Sequence, residues 1–262
     1  MILDRFRLND KVAVVTGAGR GIGRGIAEGF ADAGADVVCA ARTTEQIEEA
    51  ADAVRQRGRR ALAIRCDVNV PEELDELVER TVAELGGIDI LVNNAGGTPP
   101  TPTLQLKNED FEAAFHFNVT TALHLSRESI PHMMKRGGGA IVNISSGLGH
   151  LVESGFVAYG TAKAALSHMT RLMAFEFAPH VRVNAVAAGA TETDALRPFL
   201  QSGDLREQME ALTPMGRLGT VEDIAGAALF LASPAGSWVT GKIFEIDGGT
   251  IASNWPIKIP AF

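Results

Sequence analysis

The chain has 262 residues, which suits one large α/β domain better than two small ones. Hydrophobic residues make up 46%, enough for a sizeable core, and this excludes a disordered chain. With 32 acidic against 24 basic residues the formal net charge is -8, which argues against a general binder of nucleic acid or anionic membrane but leaves room for a local basic pocket.

Short apolar runs alternate with longer helical segments. The start, MILDRFRLNDK, has no apolar stretch of signal-peptide type, and no run reaches the ~18 apolar residues of a membrane helix, so a cytosolic setting is expected. Residues 12–16 form a buried-strand run that leads into glycines. Residues 22–33 repeat apolar side chains at helical spacing, with Gly34 placed to end the helix. A second strand is predicted over 36–41, a charged amphipathic helix over 44–57 stopped by Gly58, and a third strand over 61–66. The basic run Arg55–Arg60 at that helix end reads as solvated charge complementing the helix dipole. Pro71 stands at the start of a helix that runs to about Leu85. A fourth strand covers 88–92. Asn108 is placed to cap a long helix over 110–134, whose end Pro131 should kink or fray. There follow a strand over 140–145, a low-charge helix over 159–177, a strand over 181–187, a helix over 221–231 and a last strand over 243–246.

This alternation predicts an α/β fold, a doubly wound, mostly parallel seven-stranded sheet (Rossmann fold) with right-handed crossovers, as a single domain over 1–262. Ligands of such sheets bind beyond the carboxyl ends of the strands. The stiff loop 98–103 (TPPTPT) and a substrate loop at about 190–212 are therefore the natural pocket walls, and the C-terminal tail 250–262 suggests a further contact surface.

After the first strand comes Thr16-Gly-Ala-Gly-Arg-Gly-Ile-Gly23, opening into a helix. Glycines at 17, 19, 21 and 23 let the backbone turn and approach a pyrophosphate, and the helix N-terminus offers free N–H groups. A tight turn without a ligand is the bland reading of the same glycines. The second strand ends Ala40-Ala41-Arg42-Thr43, with no acid to hold a ribose 2′-hydroxyl. Arg42 and Arg20 would instead suit a 2′-phosphate, unless both are merely solvated, so NADP(H) is expected ahead of NAD(H).

Tyr159-Gly-Thr-Ala-Lys163 sets a phenol and an ammonium at i and i+4 on one helix face, and this tyrosine is the only one in the chain. A nearby positive charge should lower the phenol's pKa and fit it for proton transfer to a carbonyl oxygen. Ser145-Ser146 closes the fifth strand, where one hydroxyl could bind the substrate oxygen and the other be structural. Asn118, disfavoured inside a helix, is either a buried hydrogen-bonding group or a solvent-facing accident.

Together, and in this order, these motifs resemble the classical short-chain dehydrogenases/reductases over essentially the whole chain. The resemblance also takes in Asp67-Val68, Asn93-Asn94-Ala95-Gly96 and Asp247-Gly248-Gly249. It implies that Ser146, rather than Ser145, orients the substrate oxygen and that Tyr159 is the acid–base group. It implies that Lys163 lowers the phenol's pKa and holds the nicotinamide ribose, and that Asn118 holds a relay water. Cofactor contacts carry over to Gly17, Gly19, Arg20, Gly21, Ile22, Gly23, Arg42, Thr43, Asp67, Val68, Asn94, Ala95, Gly96, Tyr159, Lys163, Gly189, Thr191 and Thr193. Two positions depart from the pattern: Ala188 stands where the family usually has proline, and Thr191 where an aliphatic is usual. The stretches Asn93–Pro100 and Ser233–Gly241 are similar to the bacterial 7α-hydroxysteroid type, with 3-oxoacyl thioester reductases as the other near group.

The implied function is hydride transfer between NADP(H) and an apolar ketone or secondary alcohol, steroid-like or 3-oxoacyl-like, by a homotetramer packed partly through the low-charge helix. The alternative is an NADP(H)-binding regulatory or scaffold protein with little turnover, against which the intact set of Asn118, Ser146, Tyr159 and Lys163 counts. A sugar-nucleotide epimerase would have a tighter glycine spacing and a longer chain. The six histidines are scattered, none at metal-ligand spacing with carboxylates, and His150 reads as an ordinary loop residue. Cys39 and Cys66 lie in apolar strand runs, so neither a metal nor a disulfide is expected.

Overall fold

β1 (Val12–Thr16) is apolar nearly throughout because helices cover both its faces, and all five residues are buried. The structure, a computed structural model, describes residues 1–194, 196–200 and 204–257. Positions 195 and 201–203 of the expected substrate loop and 258–262 of the tail lie outside the described residues.

The chain continues through α1 (Gly21–Asp32), β2 (Asp36–Ala41), α2 (Thr44–Gln56), β3 (Ala61–Arg65), α3 (Pro71–Leu85) and β4 (Ile90–Asn93). Next come α4 (Asn108–Phe115), a π-helical turn (His116–Thr120), α5 (Thr121–Lys135), β5 (Gly139–Ser146), α6 (Val157–Phe177) and β6 (Val181–Ala188). The last elements are α7 (Arg197–Leu200), α8 (Leu205–Ala211), α9 (Val221–Ala232) and β7 (Ile243–Ile246).

The seven strands are all parallel, in the order β3-β2-β1-β4-β5-β6-β7. Side chains along each strand alternate between two cores. Ala13, Val15, Val37 and Cys39 face α1, α2 and α9 through Phe30, Ile47 and Leu231. Val12, Val14, Val38 and Ala40 face α3, α5 and α6 through Leu77, Leu125 and Met173. The strand order reverses between β1 and β4, where Val15 pairs with Val92. A crevice must open there beyond the carboxyl ends, and Thr16 and Asn93 stand at its floor.

The long helix expected over 110–134 is interrupted. The Thr121 N–H reaches back to the His116 carbonyl, an i→i+5 step that makes the π turn around Asn118. Pro131 does not end α5, which continues to Lys135 with the proline exposed on its surface. Asn108 is the first helical residue rather than a cap, and no side chain caps α4. The basic run 55–60 is ion-paired rather than simply solvated. Arg57 holds Glu28 at 2.8 Å and Asp32 at 2.9 Å, while Arg59 and Arg60 clasp the buried Asp36 at 2.9 and 2.7 Å.

Candidate active site

Backbone geometry explains the glycines first. Gly17 and Gly21 have φ of 64° and 56°, the left-handed region that a side chain resists. A Cβ on Gly23 would strike the Gly17 carbonyl and lie 2.5 Å from Asn94 Nδ2. A Cβ on Gly19 would press on Gln46 of α2 at 2.9 Å. The loop therefore closes tightly on α1, whose N-terminus has no side-chain cap and no acid in its first turn. Those N–H groups and the dipole are free to meet an anion. Ile22 packs partly into the core behind the loop. Asn94 fastens the loop to β4: its Nδ2 donates to the carbonyls of Thr16 at 2.8 Å and Gly17 at 3.3 Å. Thr16 Oγ1 accepts from the backbone of both Asn94 and Ala95 at 3.0 Å. Sequence reasoning treated Thr16 only as the loop's first residue; its side chain is the clip.

Arg20, Arg42 and Thr43 are exposed around this loop, and neither arginine has an ion-pair or hydrogen-bond partner among the described residues. Asp67 and the buried Val68 follow β3, and Asp67 Oδ1 already accepts from the backbone and side chain of Asn69, both at 3.0 Å. Across the crevice, Thr193 lies 3.5 Å from the position of a Cβ on Gly21. Gly189 sits against Asp247, and the Gly189 N–H donates to the Ile246 carbonyl at 2.9 Å. Thr191 is buried, its hydroxyl donates to the Gly189 carbonyl at 3.1 Å, and its backbone bridges to Gly219. A threonine replaces an aliphatic there at little cost because its hydroxyl is satisfied locally.

The second half of the site stands at the ends of β5 and α6. Ser146 Oγ accepts from the Leu148 N–H at 3.2 Å, which leaves its own proton to donate, and its hydroxyl favours the charged form of the Tyr159 phenol. Ser145 is the structural serine: its Oγ donates to the Lys163 carbonyl at 3.1 Å and lies 2.8 Å from Ser167 Oγ. Lys163 is 4% exposed. Its Nζ donates to the Ile144 carbonyl at 2.8 Å and lies 5.7 Å from the centre of the Tyr159 ring. Asn118 Oδ1 accepts from the Gly97 N–H at 2.9 Å, and its Nδ2 donates to the Ala114 carbonyl at 2.8 Å. So Asn118 is a buried hydrogen-bonding group. A Cβ on Gly96 would lie 2.8 Å from Asn118 Oδ1 and 3.0 Å from Lys163 Nζ. Glycine at 96 thus lets the asparagine and the lysine approach one small space.

Burial dominates the electrostatics of the site. Burial pushes the Tyr159 phenol above its ordinary value, and only the Ser146 hydrogen bond works the other way. Burial also pushes the Lys163 ammonium down, from 10.5 to about 8. The desolvation of both groups outweighs their attraction while Nζ is turned to the Ile144 carbonyl.

A polar chain inside the apolar core went unread. Asn93 Nδ2 donates to Asn143 Oδ1 at 2.8 Å and Ser126 Oγ at 3.0 Å, and Asn143 Nδ2 donates to Thr170 Oγ1 at 2.9 Å. It ties β4 and β5 to α5 and α6, and asparagines inside otherwise apolar strands were its signal. Two histidines lie near carboxylates. His124 lies with Asp75 and Glu128, and His150 with Glu245 and Asp247, each group with its ligand atoms within 4.8 Å. His124 and Glu128 share one turn of α5, and Glu245 and Asp247 the end of β7; the fold adds Asp75 of α3 to the first group and His150 to the second. No described helix is long and apolar enough to cross a membrane.

Comparison with known proteins agrees with the site. The family model adh_short_C2, described as enoyl-(acyl carrier protein) reductase, matches residues 17–250. An uncharacterized oxidoreductase of Mycobacterium tuberculosis is 50% identical over 261 residues, covering 99% of both chains. The structure of a 7α-hydroxysteroid dehydrogenase complexed with NADH and 7-oxo glycochenodeoxycholic acid superposes with a TM-score of 0.92 at 42% identity, over 95% of this chain and 97% of that one. A gluconate 5-dehydrogenase from Burkholderia cenocepacia in complex with NADP and tartrate gives a TM-score of 0.89 at 34% identity, over 95% and 98%. The chain belongs to the short-chain dehydrogenase/reductase family and is an oxidoreductase of hydroxyl and keto substrates that uses a nicotinamide cofactor.

Proposed function

We propose that the protein moves hydride between NADP(H) and a ketone or secondary alcohol of steroid-like or 3-oxoacyl-like shape, with Tyr159 as the acid–base group. The observation that carries this reading is the convergence of Ser146, Tyr159, Lys163 and Asn118 at the carboxyl edge of the sheet. The cradle fits a dinucleotide, because the left-handed Gly17 and Gly21 and the uncapped start of α1 leave space and N–H groups for a pyrophosphate. The cofactor, when bound, supplies or accepts the hydride at its nicotinamide. Ser146 donates to the substrate oxygen and fixes its position beside the phenol. Tyr159 gives that oxygen a proton in reduction and takes one in oxidation. Lys163 holds ribose hydroxyls and, through the space beside Gly96, hands protons to a water held by Asn118. The preference for NADP(H) is supported by Arg20 and Arg42, two unpaired guanidiniums beside a strand end that carries no acid.

The steroid-like choice draws on the likeness to the 7α-hydroxysteroid enzyme. A cytosolic setting is part of the reading, since both cysteines are free thiols, the usual state in a reducing compartment. So is a homotetramer, supported by Phe115, Leu123, Leu172 and Phe175, which leave apolar side chains exposed on α4, α5 and α6.

The test is a panel of steroid ketones, 3-oxoacyl thioesters and small cyclic ketones, followed at the NADPH and NADH absorbance. Turnover with NADPH is expected to exceed that with NADH, and Tyr159→Phe is expected to lower kcat about 100-fold or more while cofactor binding persists. Full activity in Tyr159→Phe, or a clear preference for NADH, overturns the corresponding half of the proposal.

A further inference from the structure

Phe156 stands immediately before the first residue of α6, half-buried and outside the apolar clusters of the core. Its centroid is 6.3 Å from that of Tyr159, with the planes at 62°. The ring of Trp255 lies 5.9 Å from that of Phe156, with the planes at 85°. These are the spacings of edge-to-face pairs, so Phe156 links the ring of Tyr159 to that of Trp255. Trp255 belongs to the tail, and the tail is tied down. Asn254 Nδ2 donates to Thr213 Oγ1 at 3.0 Å, and the Met215 N–H donates to the Gly248 carbonyl at 3.1 Å. An open cleft of about 370 Å³ separates Val152–Ser154 from Ala252 and Ser253, the segments that lead directly into Phe156 and Trp255. That volume falls within the range of about 300–1,000 Å³ typical of small-molecule sites.

We propose that Phe156 and Trp255 form one wall of the substrate cleft and make it selective for rigid, fused-ring ketones and alcohols over small or linear ones; this rests on the reading of Tyr159 as the proton donor. A fused alicyclic skeleton whose carbonyl meets Tyr159 reaches along Phe156 to Trp255 and gains dispersion contact without losing rotamer freedom. A linear acyl chain must freeze several torsions to lie on the same wall. A small cyclic ketone ends before Trp255 and cannot feel it.

Trp255→Ala and Trp255→Phe in the full chain are assayed with a steroid ketone and with cyclohexanone. Trp255→Ala is expected to lower kcat/KM for the steroid ketone about tenfold, chiefly through KM, and to leave cyclohexanone within about twofold, while Trp255→Phe restores most of the loss. Equal losses on both substrates, or none on either, overturn the proposal. A second measurement needs no turnover. Trp238, the other tryptophan, is 98% exposed, so Trp238→Phe leaves Trp255 as the single emitter. A steroid ketone added with NADP+ is expected to quench or blue-shift that emission, and an unchanged spectrum overturns the wall. If Tyr159→Phe kept its activity, the proton-donor reading would fall, yet the Trp255 selectivity and emission would still report on the wall.

Discussion

A lysine ammonium that is 4% exposed, with a backbone carbonyl as its hydrogen-bond acceptor, is held against its own solvation. Folded Lys163 releases its proton at about 8, whereas the unfolded side chain keeps it to 10.5. Below about 8 both states carry the charge and the folded one bears the whole burial penalty. Between about 8 and 10.5 the unfolded chain binds the extra proton, so this penalty is relieved as pH rises. Lys163→Met should therefore stabilise the cofactor-free protein at pH 7, by on the order of 1–3 kcal/mol, while abolishing most turnover. Thermal melts of both proteins from pH 7 to 10 check this: the gap should narrow with rising pH, and a variant less stable at neutral pH would show that the Ile144 bond outweighs burial. The Tyr159–Lys163 pairing was legible in the sequence because i and i+4 share a helix face. The sign of the phenol's shift was not, because burial comes from the fold, which spacing does not reveal.

Among the elements, the π turn shows where periodicity misleads. Apolar spacing runs through residues 110–134 without a break, so one helix was the natural reading, and Pro131 looked like its weak point. The break lies instead at Asn118, whose side chain takes the Ala114 carbonyl and holds Gly97 and Thr98 against the turn. One polar residue thereby fixes the loop after β4 beside the end of α6. Asn118→Ala removes the acceptor of the part-buried Gly97 N–H and the side-chain donor to the Ala114 carbonyl. It should cost about 1–3 kcal/mol and speed hydrogen exchange at the Gly97 amide. Exchange at Gly97 equal to that of the unaltered protein would mean that other contacts hold the loop. The strands were read to within two residues at their ends, because runs buried on both faces announce themselves by composition. The short helices α7 and α8 were missed, since α7 has four residues and α8 seven, too short to show a period.

At the scale of the molecule, the doubly wound sheet followed from alternation alone, but its outer surface did not. α6 turns Val157, Thr161, Ala164, His168, Leu172 and Phe175 outward at steps of three and four residues, a single stripe along 21 residues. Leu172 is 59% and Phe175 91% exposed, against a buried stripe of Ala162, Leu166 and Met173 on the opposite face. An apolar stripe of this kind, met by the same stripe of a second copy, makes an isologous contact in which each phenyl ring packs on its symmetry mate. A carboxylate at the centre of that contact would face its own copy across it and lose its solvation. Phe175→Glu with Leu172→Glu should therefore split the proposed tetramer into smaller species, measured by size-exclusion with light scattering, while leaving the buried core of α6 intact. The effect should weaken when both carboxylates are neutralised below about pH 4, the range of ordinary glutamate. An unaltered protein that already runs as a monomer would overturn the tetramer, and an altered one that keeps its full assembly would move the interface to another face.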